Sequence, residues 1–346
     1  EVWKHSQLVG RPVESGGVFS FDYLDFGSLT YNIMPLGGAT RGAMSSESYG
    51  HQWNLGARFQ EDWHFASNWH VIIGLGGTYS DIGATEALYN YSAVGMTQHS
   101  ITANRFYFNL APEGALLYTP SKAWTWHTRV GTAYGTPSSS NLFITPQGQY
   151  GNNTQLKSQT SVGIDLGADW HPSPNVSMQA TGFYEFYNNE LVSQSTGVNT
   201  VGSYTFNAPA SQHRGIVLGV EWKPLPNQLS GGRIKLSYTY DNQIYTNYTE
   251  VLSSSTLSRR FERAGNYIPG VIPNFLNARF LYDQPDGLLE GLGGYAEVTW
   301  RDSYWLDNAN RLKAPGYALL NFELHYDPPT RLGWIHRLHW YFEVQN

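Results

Sequence analysis

Residues 161–189 read SVGIDLGADWHPSPNVSMQATGFYEFYNN. Ahead of the Pro172/Pro174 turn, Val162, Ile164, Leu166, Ala168 and Trp170 are apolar, and the residues between them, Ser161, Gly163, Asp165, Gly167 and Asp169, are small or acidic. Beyond the turn, Val176, Met178, Ala180, Gly182, Tyr184 and Phe186 take one side, and Ser177, Gln179, Thr181, Glu185 and Tyr187 take the other. Successive side chains of a strand point to opposite faces, so the stretch is a hairpin with one apolar and one wet face. The fold turns on the medium that the apolar face meets, a protein core or lipid.

The same alternation recurs along the chain. Trp53, Leu55, Ala57 and Phe59 show it, as do Ile216, Leu218, Val220 and Trp222. So do Ile234, Leu236, Tyr238 and Tyr240, and Leu320, Phe322, Leu324 and Tyr326. No segment carries a helical stripe. Short turns fall near 66–68, 119–122, 171–175, 224–231, 284–290 and 327–334, and long polar stretches near 81–100, 136–156, 193–211, 246–268 and 303–313. Short and long connections take turns, which predicts a barrel with short periplasmic turns and long extracellular loops.

Composition narrows the classes. Of 346 residues 41% are apolar and only 14% charged, with 36 Gly, 24 Tyr and 12 Trp. Average soluble domains carry about 25% charged residues. The net charge of −6 gives no footprint for nucleic acid. With no cysteine, a disulfide framework, a thiolate metal site and a cysteine nucleophile are excluded. No run of about 18 apolar residues offers a transmembrane helix, so a membrane reading leaves only a β-barrel. Each strand puts Arg, Lys, Asp, Glu, Asn or Gln on one side and Val, Leu, Trp, Phe or Tyr on the other. A water-filled lumen and a lipid exterior suit this division better than a sandwich core. Tyr118, Trp124, Trp170, Trp222, Tyr240, Tyr282, Trp300 and Tyr326 sit at strand ends, as interfacial girdles do. The expected fold is all-β, an antiparallel transmembrane barrel, with about thirteen strands between a first run near 17–32 and a last near 335–346.

Several stretches then resemble the C-terminal barrel of TonB-dependent outer-membrane receptors. They are NLAPEGALLYTPSKAWTWHTRVGTAYGTPSSSNLF at 109–143, the hairpin at 156–192, HRGIVLGVEWKP at 213–224 and WYFEVQN at 340–346. The most specific is residues 268–329, with Pro269, Pro273, Pro315, Gly316 and Tyr317 in place. Two features depart from the family: Tyr134-Gly135-Thr136-Pro137 lacks the Arg often found before that Pro, and Ser158-Gln159 follows Leu-Lys where Pro-Glu is common. The resemblance implies a 22-stranded barrel, of which residues 1–346 form a partial barrel domain, strands 9 to 21 by counting. The N-terminal plug, with its coupling box, and the last strand are absent from that assignment.

The resemblance further implies a Gram-negative outer-membrane receptor, not an enzyme, that imports a scarce ligand. By family an iron–siderophore is expected, with TonB acting through the plug and lipid or lipopolysaccharide around the wall. A passive porin-like channel and a soluble β-rich binding protein are the alternatives. No catalytic set, metal pair, Cys/His cluster or cofactor is expected. The ligand-binding candidates lie in long loops: Arg259, Arg260, Arg263 and Tyr267, with Phe143, Tyr150, Tyr204 and Trp305. Guanidinium forks suit oxygen-rich anions, and aromatic rings stack on flat groups. The arginines have a second reading, a solvated charge network held by Glu250 and Glu262.

Overall fold

The computed structural model describes residues 2–10, 23–25, 30–32, 46–92, 94–145, 151–195, 203–207, 210–224, 230–253, 258–327 and 338–346. Thirteen strands form one antiparallel sheet in chain order. They are β1 Val2–Gly10, β2 Ser46–Ala66, β3 Trp69–Ser92 and β4 Gly95–Ser121; β5 Trp124–Gly135, β6 Gln159–Ser173, β7 Val176–Asn188 and β8 Ala210–Trp222; and β9 Gly232–Asn247, β10 Asn274–Asp283, β11 Leu292–Arg301, β12 Tyr317–Tyr326 and β13 Trp340–Val344. The opening hairpin is β6 and β7, in register from Thr160 with Asn188 down to Ser173 with Val176.

The expected strand count holds, but two boundaries differ. The first strand of the sheet is Val2–Gly10, not the run near 17–32. Within that run Tyr23–Asp25 pairs with Thr30–Asn32 in a small ladder of its own, and residues 17–22 lie outside the described residues. The long loop expected at 81–100 is instead strand: β3 and β4 stay paired from Trp69 with Tyr118 to Ser92 with Gly95. A bilayer crossing takes only about 9–11 tilted residues. More than half of the 24-residue β3 and 27-residue β4 therefore stands clear of the hydrocarbon. There neither face meets lipid, and the period-two signal fades.

The two faces of the sheet answer the question of medium. Leu55, Phe59, Ile73, Leu75, Val130, Ile164, Leu166, Leu320 and Leu324 are all exposed, on the face a soluble sandwich would bury. The opposite face is laced with ion pairs. Arg58 and Arg129 both donate to Glu113, and Arg129 reaches Asp165 at 3.8 Å. Arg279 donates to Glu297, which also accepts from Asn321, and Lys235 faces Glu221. Charges on a wet lumenal wall and aliphatics on lipid account for both patterns. Gly167 on the lumenal face leaves room that a Cβ would take, against His127 Nε2 and Thr181 Oγ1.

Aromatics mark the two edges of the lipid band. Near the short turns, Trp69 stacks on Tyr118 at 4.1 Å between centroids, and Trp124 on Trp170 at 5.2 Å. Tyr282 pairs with Gly232 at the start of β9, eight residues before Tyr240. That separation is roughly 26 Å along the strand, or about 20 Å of height at a tilt near 40°, so the two rings span most of an apolar band about 25 Å tall.

Candidate functional site

The apolar core of this molecule sits above the lipid band rather than within it. Leu142 and Leu156, from the loop between β5 and β6, pack on Ile82, Ala103 and Tyr107 of the projecting β3–β4 hairpin, with Leu191 alongside. A second cluster joins Tyr245 and Tyr248 to Val192, Phe206 and Ile268. Among the described residues, four outer loops carry small hairpins of their own: Tyr23–Asp25 with Thr30–Asn32, Leu191–Ser195 with Ser203–Asn207, Thr249–Ser253 with Ser258–Glu262, and Tyr304–Trp305 with Lys313–Ala314.

Asparagine side chains fasten these loops to one another. Asn153, wholly buried, donates to the carbonyls of Asn141 at 3.1 Å and Thr205 at 2.8 Å. Asn207 donates to the Lys157 carbonyl at 2.8 Å and the Asn189 carbonyl at 2.9 Å, and its Oδ1 accepts from the Lys157 N–H. Asn310 holds the Tyr267 backbone from both sides, accepting from its N–H at 2.7 Å and donating to its carbonyl at 2.9 Å. An amide offers donor and acceptor together, so one residue can satisfy two backbone groups of a neighbouring loop. Asn189 and Asn310 sit at φ 54° and 53°, a left-handed conformation that Asn tolerates.

The candidate arginines divide into two kinds. Arg263 is mostly buried: it donates to Glu250 Oε2 from two nitrogens, at 2.7 and 2.8 Å, and lies over the Phe261 ring. Asn308 donates to the other Glu250 oxygen at 2.7 Å, and Tyr245 donates to Asn308 at 3.0 Å. Glu262 accepts from Thr249. Arg263 is thus paired with Glu250 in a mostly buried setting, not a solvated one. Arg259 and Arg260 are exposed, in register with Leu252 and Val251. Burial pushes the Tyr204 phenol above its usual range, and the nearby Arg260 charge opposes that shift. Asp307 is held below the usual carboxylate range, first by the Leu312 N–H and also by Arg311 and the Arg263 charge.

Tyr267 and Trp305 meet in a recess of about 300 Å³ at the outer end of β9 and β10. Asp241, Asn242 and Lys313 line it too, three residues that alternation along the chain does not single out. Lys313 Nζ stands 5.1 Å over the Trp305 ring. One oxygen each of Asp241 and Asn242 is buried without a hydrogen-bond partner among the described residues. Phe143 stands elsewhere, in the loop between β5 and β6, its carbonyl accepting from Gly151 at 2.8 Å. Tyr150 lies outside the described residues.

One Ser/His/carboxylate group does form, from Ser211, His213 and Glu190. Ser211 donates to Glu190 and touches His213 Nε2 at 3.0 Å, and that same nitrogen lies 3.9 Å from Glu190. Nucleophilic catalysis needs the imidazole to bridge serine and acid through opposite nitrogens. With Ser211 only 1% exposed, the group ties the β7–β8 loop to its strand.

The family model described as TonB dependent receptor-like, beta-barrel, matches residues 3–346. The fold is similar to the ferric-catecholate import receptor Fiu from K12 E. coli, with TM-score 0.66, 13% identity, and 95% of this chain and 45% of that one covered. It is similar to the ferric yersiniabactin uptake receptor FyuA from Yersinia pestis, with TM-score 0.60, 17% identity and coverage of 82% and 40%. It is similar also to the siderophore receptor PiuA from Acinetobacter baumannii, with TM-score 0.60, 15% identity and coverage of 82% and 38%. The chain thus spans less than half the length of each. At these identities the likeness is one of fold, and the match to the family model, over nearly every residue, carries the assignment. With its meandering thirteen-stranded sheet, lipid-facing aliphatics and charged lumen, the chain belongs to the TonB-dependent receptor β-barrel family of the Gram-negative outer membrane.

Proposed function

We propose that this chain supplies barrel wall and outer rim to a receptor that captures an iron–siderophore complex and passes it inward under TonB-coupled gating. The observation that carries the reading is the family match over residues 3–346, with structural neighbours named for ferric or siderophore cargo. The thirteen strands serve as strands 9 to 21 of a 22-stranded barrel, and TonB acts through a plug seated in the lumen. Lipid and lipopolysaccharide cover the exposed aliphatic wall. No catalytic step is part of this function.

The rim supports capture in two places. Arg259 and Arg260 offer exposed guanidinium forks, that of Arg260 near Tyr204, and Tyr267 with Trp305 offers an aromatic recess lined also by Asp241 and Lys313. Arg263, already paired with Glu250, holds the hairpin that displays the other two arginines.

The test is uptake and equilibrium binding of radiolabelled ferric siderophores by the full-length receptor. Changing Arg259 and Arg260 together to Gln is expected to weaken an anionic chelate by well over tenfold, since each charge-assisted hydrogen bond contributes roughly 1.5–3 kcal/mol. Accumulation that persists without energy coupling would mark a passive channel. Failure to bind any ferric chelate would refute the cargo.

A further inference from the structure

Folding the β2–β3 hairpin assembles a set of side chains that no reading of linear spacing brought together. Asp62 and His64 are two apart on one strand and so share a face. His70 is the cross-strand partner of His64, across the tight turn at 67–68. One ligand atom from each of Asp62, His64 and His70 lies within 4.8 Å of the others. His64 Nε2 is 3.6 Å from Asp62 Oδ2, and the two imidazole centroids are 3.8 Å apart. In a tetrahedral site with metal–nitrogen bonds of about 2.0–2.1 Å, neighbouring donors stand about 3.4 Å apart. The observed spacings need only small side-chain rotations, and both His64 and Asp62 are exposed enough to make them.

The opposite face fixes the backbone that presents these donors. Trp63 packs on Phe65 at 5.6 Å, Phe65 on Trp69 at 6.2 Å, and Trp69 stacks on Tyr118. The register shifts between His64 and Ala66, a bulge just beyond the His64–His70 pair. Bulges re-aim neighbouring side chains and increase local twist. Since the aromatics occupy the lipid side, the imidazoles and Asp62 line the lumen at its inner mouth.

We propose that Asp62, His64 and His70 form a divalent transition-metal site on the lumenal wall at the inner mouth of the barrel. Two imidazoles and a carboxylate, with no thiolate, select Zn²⁺ or Cu²⁺ over Cu(I) and over the hard cations. Three protein donors leave a fourth position for water or for a group arriving through the lumen. The site is separate from chelate capture at the outer rim.

The experiment uses metal-free, full-length receptor in detergent, titrated with Zn²⁺ against a chromophoric chelator. A parallel Cu²⁺ titration is followed by electron paramagnetic resonance for nitrogen hyperfine splitting. One ion per receptor is expected. His64→Ala, His70→Ala and Asp62→Asn should each weaken it by roughly tenfold or more, because even changes behind the ligands cost 10–100-fold. His64→Ala/His70→Ala should remove the nitrogen signature, and His99→Ala, on β4, should change neither readout. Heat-modifiable gel mobility verifies that each variant retains its barrel. No competing uptake by the wild-type receptor, or equal uptake by the double variant, would overturn the proposal whatever the outcome for siderophores.

Discussion

Leu166 is the most direct test of where the lipid lies. It is 64% exposed, four residues along β6 from Trp170, which stacks on Trp124 at the inner girdle. Four residues advance roughly 13 Å along a strand, or about 10 Å of height at a tilt near 40°. That places its side chain near the middle of an apolar band about 25 Å tall. We predict that Leu166→Arg lowers stability by about 2–4 kcal/mol, the cost of a lipid-facing Arg at the midplane. At 1.36 kcal/mol per tenfold, this is roughly a 30- to 900-fold change in the folding equilibrium. Gln179→Arg is the lumenal comparison, set nearer the inner girdle. It places the same side chain on the lumenal face of β7, in register with Asp169. There the charge stays in water beside a carboxylate, and the change should stay within about 1 kcal/mol. The assay is reversible guanidinium unfolding in lipid vesicles, followed by tryptophan emission and checked by heat-modifiable mobility. Equal penalties at the two positions would refute a lipid-facing exterior and return the sheet to a soluble architecture.

Three further outcomes follow from the rim and the turns. Asn153→Leu leaves the Asn141 and Thr205 carbonyls without their donor, at about 1–3 kcal/mol for each group left unpaired; limited proteolysis should then cleave within 136–158 and 189–209 while barrel mobility stays normal. Burial, opposed by a hydrogen bond from Ser211, raises the Glu190 pKa, so docking of the β7–β8 loop is strongest while this acid is protonated and weakens as pH rises from the usual carboxylate value through the raised one. Hydrogen exchange in 189–209 should show that trend, and Glu190→Gln should abolish it. An epitope tag at Ser173, in a short turn, should stay hidden on intact cells until the outer membrane is opened, whereas tags at Gly148 or Ser254 should be reached by antibody; surface labelling at Ser173 would invert the topology.

The transmembrane part was legible because lipid on one face and water on the other write period two into each strand. Val162 to Leu166 and Leu320 to Leu324 lie as their alternation demands. Where the medium is the same on both sides, the pattern stops informing. Residues 81–100 looked like loop because Ile82, Ala84 and Ala87 are buried instead of facing lipid, Ile82 beneath Leu142 and Leu156 of a neighbouring loop. The rim was legible as composition but not as structure. Arg263 and Arg259 look alike in sequence, and only the fold places Glu250 and Asn308 against one of them. Tyr267 and Trp305 were singled out separately; their common recess depends on two loops meeting. The Asp62, His64 and His70 group had a readable signal, two polar residues on one strand face and a third just across a two-residue turn, but only the turn at Ser67 and Asn68 brings the three together.

The asparagine ties of the rim also bear on how such a receptor changes over generations. Asn153, Asn207 and Asn310 grip main-chain groups, which every amino acid carries, so the frame they hold is indifferent to the side chains displayed on it. Positions such as Arg259 and Arg260 can then be exchanged without unfastening the loops. Variation and architecture are assigned to different residues, and a lineage can alter what its outer surface shows while inheriting the scaffold unchanged.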